Sequence, residues 1–302
     1  MIDVFIPSYH RAKNLKTVHL LVKLGYDPSK IHVFIDSEAD DRLDYVAVCK
    51  RYKCHLYIFD MWEARERFDY VHRPSVSRRS GGQARNMFAD KAKELGIDFY
   101  VVSDDDSSGY QVRPFGRYIK SANIDEINRT FLAIKEMMQK HRIGLFGLSQ
   151  TGDMFEKINT RILRQKVMNT TFYDTRFIYR GERGVSDDDT SQFVGVLNEG
   201  YFTGSMATGI VLSQTPSATA KGGLTDLYNE YGLLSKSLII PIQFPSLCVA
   251  ERQTRNGGRL HHKLKYKNLA PKILKGERSN LAWDTYPEDV VFTNEPKNRL
   301  KS

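Results

Sequence analysis

The strongest constraint on the fold is an alternation in the first hundred residues, where short apolar runs are separated by segments with helical spacing. The runs are Asp3–Pro7, His32–Asp36, His55–Phe59 and Phe99–Ser103. Between the first two, Asn14 is placed to cap a helix whose Leu15, Val18, Leu21 and Leu24 share a face and which Gly25 ends. Ala39–Tyr52 and Gln83–Leu95 repeat that spacing. Strand–helix–strand units cross over right-handedly between parallel neighbours, so a mixed, mainly parallel α/β sheet flanked by helices is expected. Such a sheet aims the C-terminal ends of its strands at one crevice. The polar residues just after the strands are therefore the first candidates for a site: Ser8–Arg11, Asp36–Glu38, Asp60 and Asp104–Asp106.

A long helix over Asp125–His141 and an apolar strand, Ile143–Leu148, follow, and a boundary is expected near Gln150. Residues 151–302 are richer in loops and in Arg and Lys, with no internal repeat. A length of 302 residues suits one large domain or a domain with an elaborated second half. Lys and Arg number 45 against 36 Asp and Glu, a net charge of +9 that favours a polyanionic partner or an anionic small substrate. Three cysteines without a CxxC pair suit a reducing compartment, and the apolar start lacks the basic segment of a secretory leader, so a cytoplasmic protein is expected. Charges interrupt every apolar run well short of the roughly 18 residues of a membrane span.

Val101-Val102-Ser103-Asp104-Asp105-Asp106 ends an apolar strand in three carboxylates. Three adjacent acids repel one another unless a cation or several donors hold them. If the extended conformation persists, Asp104 and Asp106 fall on one side and approach one divalent ion, and their hard oxygens suit Mg2+ or Mn2+ bridging to phosphate. The plain alternative is a solvated acidic turn closed by Ser107-Ser108-Gly109. A second cluster, Ser186-Asp187-Asp188-Asp189, opens a segment in which Phe193, Val196 and Leu197 have helical spacing. Helix capping accounts for one or two of these acids; a general base for an incoming hydroxyl would account for a third.

Two further segments carry weaker signals. Ser80-Gly81-Gly82-Gln83-Ala84-Arg85-Asn86 sets a glycine loop and an arginine ahead of a helix, either an anion contact or a hinge. His261-His262 lies in a basic stretch, either solvated or, if the fold returns it to the aspartates, metal-ligating. The phosphate loop GxxxxGK[ST], GxGxxG after the first strand, HExxH and GxSxG are all missing, which removes the commonest ATPase, dehydrogenase, zinc-protease and serine-hydrolase readings.

In their order, Ile6-Pro7-Ser8-Tyr9-His10-Arg11, Asp36, Ala84-Arg85-Asn86 and Asp104-Asp105-Asp106 resemble the GT-A glycosyltransferases, whose fold is Rossmann-like. More narrowly, IPSYHR, the two SDDD segments, and Lys221-Gly222-Gly223-Leu224-Thr225-Asp226-Leu227-Tyr228 with Lys236-Ser237 resemble the bacteriophage TET-associated glycosyltransferases, which act on 5-hydroxymethylcytosine in DNA. The resemblance implies a nucleotide-sugar donor, a UDP-sugar foremost, bound by residues 1–150, and an acceptor-binding half with a basic extension in 151–302. It implies that Pro7, Ser8, Tyr9, Arg11, Asp36, Arg85 and Asp105 contact the donor. Asp104 and Asp106 would hold Mn2+ or Mg2+ with a C-terminal histidine, His262 or its neighbour His261. Asp189, with Asp188 as the adjacent choice, becomes the catalytic base; the family's Glu-Asp reads Asp-Asp here, which leaves open which of Asp187–Asp189 holds that place. The implied partner is double-stranded DNA carrying hydroxymethylated bases, in the host bacterial cytoplasm if a phage encodes the chain.

A DNA acceptor gives a role to Arg73, Arg78, Arg79 and Arg85, to Arg161, Arg164, Lys166, Arg176, Arg180 and Arg183, and to the basic run from Arg252 to Lys267. Tyr173, Phe177, Tyr179 and Phe202 are then candidates to stack on an unpaired base, or else core residues. Two rivals stand beside this reading: a GT-A enzyme acting on a glycan, lipid or protein, and an inactive nucleic-acid-binding module on the same fold.

Overall fold

The computed structural model describes residues 1–66, 81–113, 118–141, 143–148, 161–163, 166–168, 170–176, 187–206, 210–214, 225–253 and 258–269. In chain order the elements are β1 (Asp3–Pro7), α1 (Lys16–Lys23), β2 (Ile31–Asp36), α2 (Arg42–Tyr52), β3 (His55–Phe59), α3 (Met61–Glu66), α4 (Gly81–Glu94), β4 (Phe99–Val102), β5 (Ser107–Val112), β6 (Lys120–Ser121) and α5 (Ile124–His141). There follow β7 (Ile143–Leu148), β8 (Arg161–Leu163), β9 (Thr171–Asp174), α6 (Asp188–Asn198), β10 (Phe202–Met206), β11 (Ile210–Gln214), α7 (Thr225–Gln243), β12 (Cys248–Arg252) and β13 (Leu260–Leu264).

Eight strands form one sheet in the order β3-β2-β1-β4-β9-β7-β10-β8. The neighbours β3, β2, β1 and β4 are parallel, as are β7 and β10, while β9 and the edge strand β8 run against their neighbours. This is the mixed, mainly parallel sheet that the alternation predicts. Residues after 150 supply β8, β9 and β10, so both halves of the chain share it. A separate antiparallel sheet, β11-β5-β6, and the hairpin β12-β13 complete the strands among the described residues.

The β1, β2, β4 and β7 strands are buried on both faces because helices cover both. On one face Val4, Ile6, Val33, Ile35 and Val101 pack with Leu15, Val18 and Leu21 before and along α1 and with Phe131, Ile134 and Met138 of α5. On the other, Phe5, Phe34, Tyr100 and Val102 meet Ala84, Phe88 and Ala92 of α4 and Val196 of α6. Successive strand residues thus feed opposite cores, as their alternating direction requires.

Two local points are decided by the structure, the first against expectation. Asn14 does not cap α1: a 3-10 turn, Ala12–Asn14, comes first, and Leu15 occupies the cap without a side-chain bond. Gly25 does follow the helix with φ of +88°, a value that suits glycine. Tyr173 and Phe202 are core residues, not stacking surfaces. The β9 and β10 strands insert within the sheet, where Tyr173 stacks on Tyr100 at 5.1 Å and Phe202 is buried. Phe177, Tyr179, Arg73, Arg78, Arg79, Arg164, Arg180, Arg183, Ser186 and Lys221–Leu224 lie outside the described residues, as does the chain beyond Leu269. No helix among the described residues is long and apolar enough to cross a membrane.

Candidate active site

Strand order reverses at β1, which has β2 on one side and β4 on the other. The crevice outside their C-terminal ends is where an open α/β sheet binds ligands. The loop after β1 crosses it. Ser8 N–H still donates to Phe34 O across the sheet at 3.0 Å, after which His10 turns the chain with φ of +54°. Tyr45 of α2 fixes this loop from behind: its hydroxyl lies 2.7 Å from Ser8 Oγ and accepts from Arg11 N–H at 3.0 Å.

The loop then grips the acidic turn after β4. Ser8 Oγ donates to Asp105 Oδ2 at 2.5 Å, and Arg11 Nη1 donates to Asp105 Oδ1 at 2.5 Å and to Asp106 Oδ2 at 3.3 Å. Thr17 of α1, fully buried, holds the main chain of the turn: its hydroxyl donates to Asp104 O at 2.5 Å and accepts from Ser107 N–H at 2.9 Å. Because β4 ends at Val102 and residues 105 and 106 form a turn, simple strand alternation does not place Asp104 and Asp106 side by side. Asp105 and Asp106 instead share Arg11, while Asp104 faces Arg85 at 2.6 Å. Burial pushes the Asp104 carboxyl up to about 6, against the pull of Arg85, and raises Asp105 against the pull of Arg11.

The second acidic cluster arrives on α6. Arg85 of α4 reaches it as well, pairing with Asp188 through one nitrogen while the other holds Asp104. Asp189 pairs with Lys166 at 2.7 Å, and its carboxylate also accepts from Thr190 N–H. Asp187 lies 3.7 Å from Lys236 of α7 and 3.7 Å from His262 Nδ1 of β13. Burial lifts the Asp187 carboxyl to about 6; burial, then His261 beside it, lowers His262 to about 4.

The two clusters singled out in the sequence therefore meet in one place, with Arg85 between them. Pro7 ends β1, Ser8 and Arg11 lie on the loop after it, where Tyr9 packs edge-on against His10, and Asp36 closes β2, buried. His262 lies against Asp187; among the described residues no group of three ligand atoms within 4.8 Å joins it to Asp104 and Asp106. The group that does meet that spacing is His10, Asp40 and Asp41 at the outer edge of the first loop, with His10 Nδ1 2.6 Å from Asp40. Sequence reasoning missed Thr17 and Tyr45, and named Lys236 only as part of a segment that resembles the family, with no role in the site. Nothing in their spacing marks them, since each reaches the site from a different element.

The acidic turn has the donor chemistry for a hard divalent ion. Asp105 is committed to Ser8 and Arg11, but Asp104 and Asp106 carry carboxylate oxygens beside it, and the raised Asp104 carboxyl shows that Arg85 does not fully offset its burial.

The chain is similar in course to several solved structures. A mannosyltransferase from Pyrobaculum calidifontis in complex with GDP-Man and Mn2+ has a TM-score of 0.48 and 14% identity over 74% of this chain, which spans 58% of that protein. Glucosyl-3-phosphoglycerate synthase from Mycobacterium tuberculosis has a TM-score of 0.42 and 11% identity over 87% of each chain. Mouse xyloside xylosyltransferase 1 has 0.35 and 10%, over 87% of this chain and 97% of that one. No curated protein matches the sequence. Residues 2–203, which carry β1 through α6, the first residues of β10 and both acidic clusters, match the family of TET-associated glycosyltransferases, and the chain belongs to that family.

Proposed function

We propose that this glycosyltransferase moves a sugar from a nucleotide-sugar, a UDP-sugar foremost, to the hydroxymethyl oxygen of 5-hydroxymethylcytosine in double-stranded DNA, in the cytoplasm, that of the host bacterium if a phage encodes the chain. The observation that carries the reading is Arg85, which joins Asp104 to Asp188 and so sets a phosphate-type acidic turn against a second carboxylate cluster. The family match supports the transferase chemistry, and the net charge of +9 supports a polyanionic acceptor.

In this reading Pro7, Ser8, Tyr9 and Asp36 line the nucleoside end of the donor, and Arg11 and Arg85, held by their carboxylates, present their remaining N–H groups to the diphosphate. Asp104 and Asp106 hold Mn2+ or Mg2+, which when bound neutralises the leaving diphosphate. Ser8 and Arg11 keep Asp105 in place, so the turn keeps its shape as charge builds on the phosphate. A carboxylate at the start of α6 takes the acceptor proton. Asp188 and Asp189 are the candidates read from the sequence, and the structure ties each to a cation, Arg85 and Lys166.

Two measurements test the halves separately. Titration calorimetry of UDP-glucose with and without Mn2+ checks the donor half: Asp106→Ala should abolish the metal-dependent gain in affinity, and an unchanged gain would sink the assignment of the acidic turn. Duplex binding as a function of salt checks the acceptor half: a steep fall in affinity is expected, and salt-independent binding would favour a glycan or protein acceptor.

A further inference from the structure

The start of α6 contains an arrangement that helix capping does not explain. Asp187 occupies the cap position, where an aspartate ordinarily bonds the first free N–H groups of the helix. Here it makes no such bond; it sits at φ of +55°, and its main-chain carbonyl accepts from Thr190 and Ser191 N–H. Its side chain turns inward, 6% exposed, and faces His262 of β13, 7% exposed, at 3.7 Å. That separation is too long for a hydrogen bond. Asp187 Oδ2 and His262 Nδ1 are both buried with no hydrogen-bond partner among the described residues. Two such atoms side by side are costly unless a ligand meets them.

A hydroxyl is the single-atom group that donates to a carboxylate and accepts from an N–H at once. We infer that Asp187 and His262 together seat the acceptor's hydroxyl, which donates to Asp187 Oδ2 and accepts from His262 Nδ1–H. The inference rests on the transferase reading and adds to it where the acceptor oxygen lies. In the transfer that oxygen bonds to the anomeric carbon, the bond from that carbon to the diphosphate oxygen breaks and leaves its electron pair on the diphosphate, and the hydroxyl proton passes to Asp187. Asp188 and Asp189 stay in their ion pairs and hold the start of α6 in place. His262 and Lys236 lie beyond residue 203, where the family match ends, so the acceptor side of the site is completed by the C-terminal part of the chain.

The test is nitrogen NMR of 15N-histidine-labelled full-length protein saturated with UDP and Mg2+, titrated with a duplex containing one 5-hydroxymethylcytosine and then with the same duplex containing 5-methylcytosine. The His262 Nδ1 resonance, assigned by its loss in His262→Ala, should move with the first duplex and not with the second. In steady-state assays His262→Ala should raise the acceptor KM at least tenfold, and His262→Asn, whose amide nitrogen falls near Nδ1, should recover most of it. Asp187→Asn should lose transfer while Asp188→Asn and Asp189→Asn retain more. An unmoved resonance in an enzyme that does glycosylate the first duplex overturns the inference. If the wild type glycosylates neither duplex, the DNA reading has failed, and the titration is repeated with methyl glucoside; a shift then keeps the hydroxyl seat, and no shift removes it.

Discussion

Replacing Arg85 with methionine keeps the packing of its stem and removes the cation that joins Asp104 to Asp188. Each carboxylate then loses a charge-assisted hydrogen bond, worth roughly 1.5–3 kcal/mol apiece. Stripping one partner from a fully buried pair costs about 3–5 kcal/mol. Here the three side chains keep 15–29% of their surface, so water recovers part of that loss. The expected net destabilisation is about 2–4 kcal/mol, which for a chain of this size lowers the melting temperature by roughly 3–6 °C. Mn2+ should raise the melting temperature of the variant more than that of the wild type, because the ion takes over the neutralisation of Asp104. Turnover should fall by about a hundredfold or more, as is usual when a group stabilising transition-state charge is lost. Scanning calorimetry with and without Mn2+ makes the measurement. A variant that melts with the wild type and gains nothing extra from the ion would refute the claim that Arg85 couples the two clusters.

Three more outcomes are expected. Thr17→Val keeps the side-chain shape but leaves Ser107 N–H and Asp104 O without the hydroxyl that links them, so urea denaturation should show a loss of about 1–3 kcal/mol, with weaker Mn2+ binding. Gly147→Ala would set a Cβ 2.6 Å from Val167 Cβ in the segment that carries Lys166, so about 1–3 kcal/mol of overpacking and a displaced Lys166–Asp189 pair should follow, read by urea denaturation and turnover. Asp3 is raised by burial but pulled down further by its bonds from His32 and Lys30, so its carboxyl lies below the usual range. That stabilisation is present above an unfolded value near 4 and is lost as pH falls through the folded one. Asp3→Asn should therefore be less stable at neutral pH, and the gap should narrow in urea titrations carried out progressively below pH 4.

The central strands were legible because their apolar runs are short and their spacing unambiguous; β1, β3 and β7 lie on the expected residues. Both acidic clusters were legible because three adjacent carboxylates have few ordinary uses. Their internal geometry was not. Where β4 stops decides which way Asp104 and Asp106 face, and the hydroxyl of Thr17 and the grip of Arg11, from elsewhere in the chain, shape the turn. The place of β9 between β4 and β7 was equally hidden, since strand order depends on crossovers that no local pattern records. That insertion decides between the two readings of Tyr173 in favour of the core.

The central claim is transfer of a sugar to a hydroxymethylated base in DNA at a site that depends on the acidic turn. The most direct measurement is mass spectrometry of nucleosides from 5-hydroxymethylcytosine DNA incubated with the protein, Mn2+ or Mg2+ and a panel of UDP-sugars, beside the Asp106→Ala variant. The account predicts a gain of one sugar on hydroxymethyldeoxycytidine with the wild type and none with the variant. No gain on the base, with one UDP-sugar hydrolysed in a metal-dependent way, would contradict the DNA acceptor; a full gain with Asp106→Ala would contradict the site.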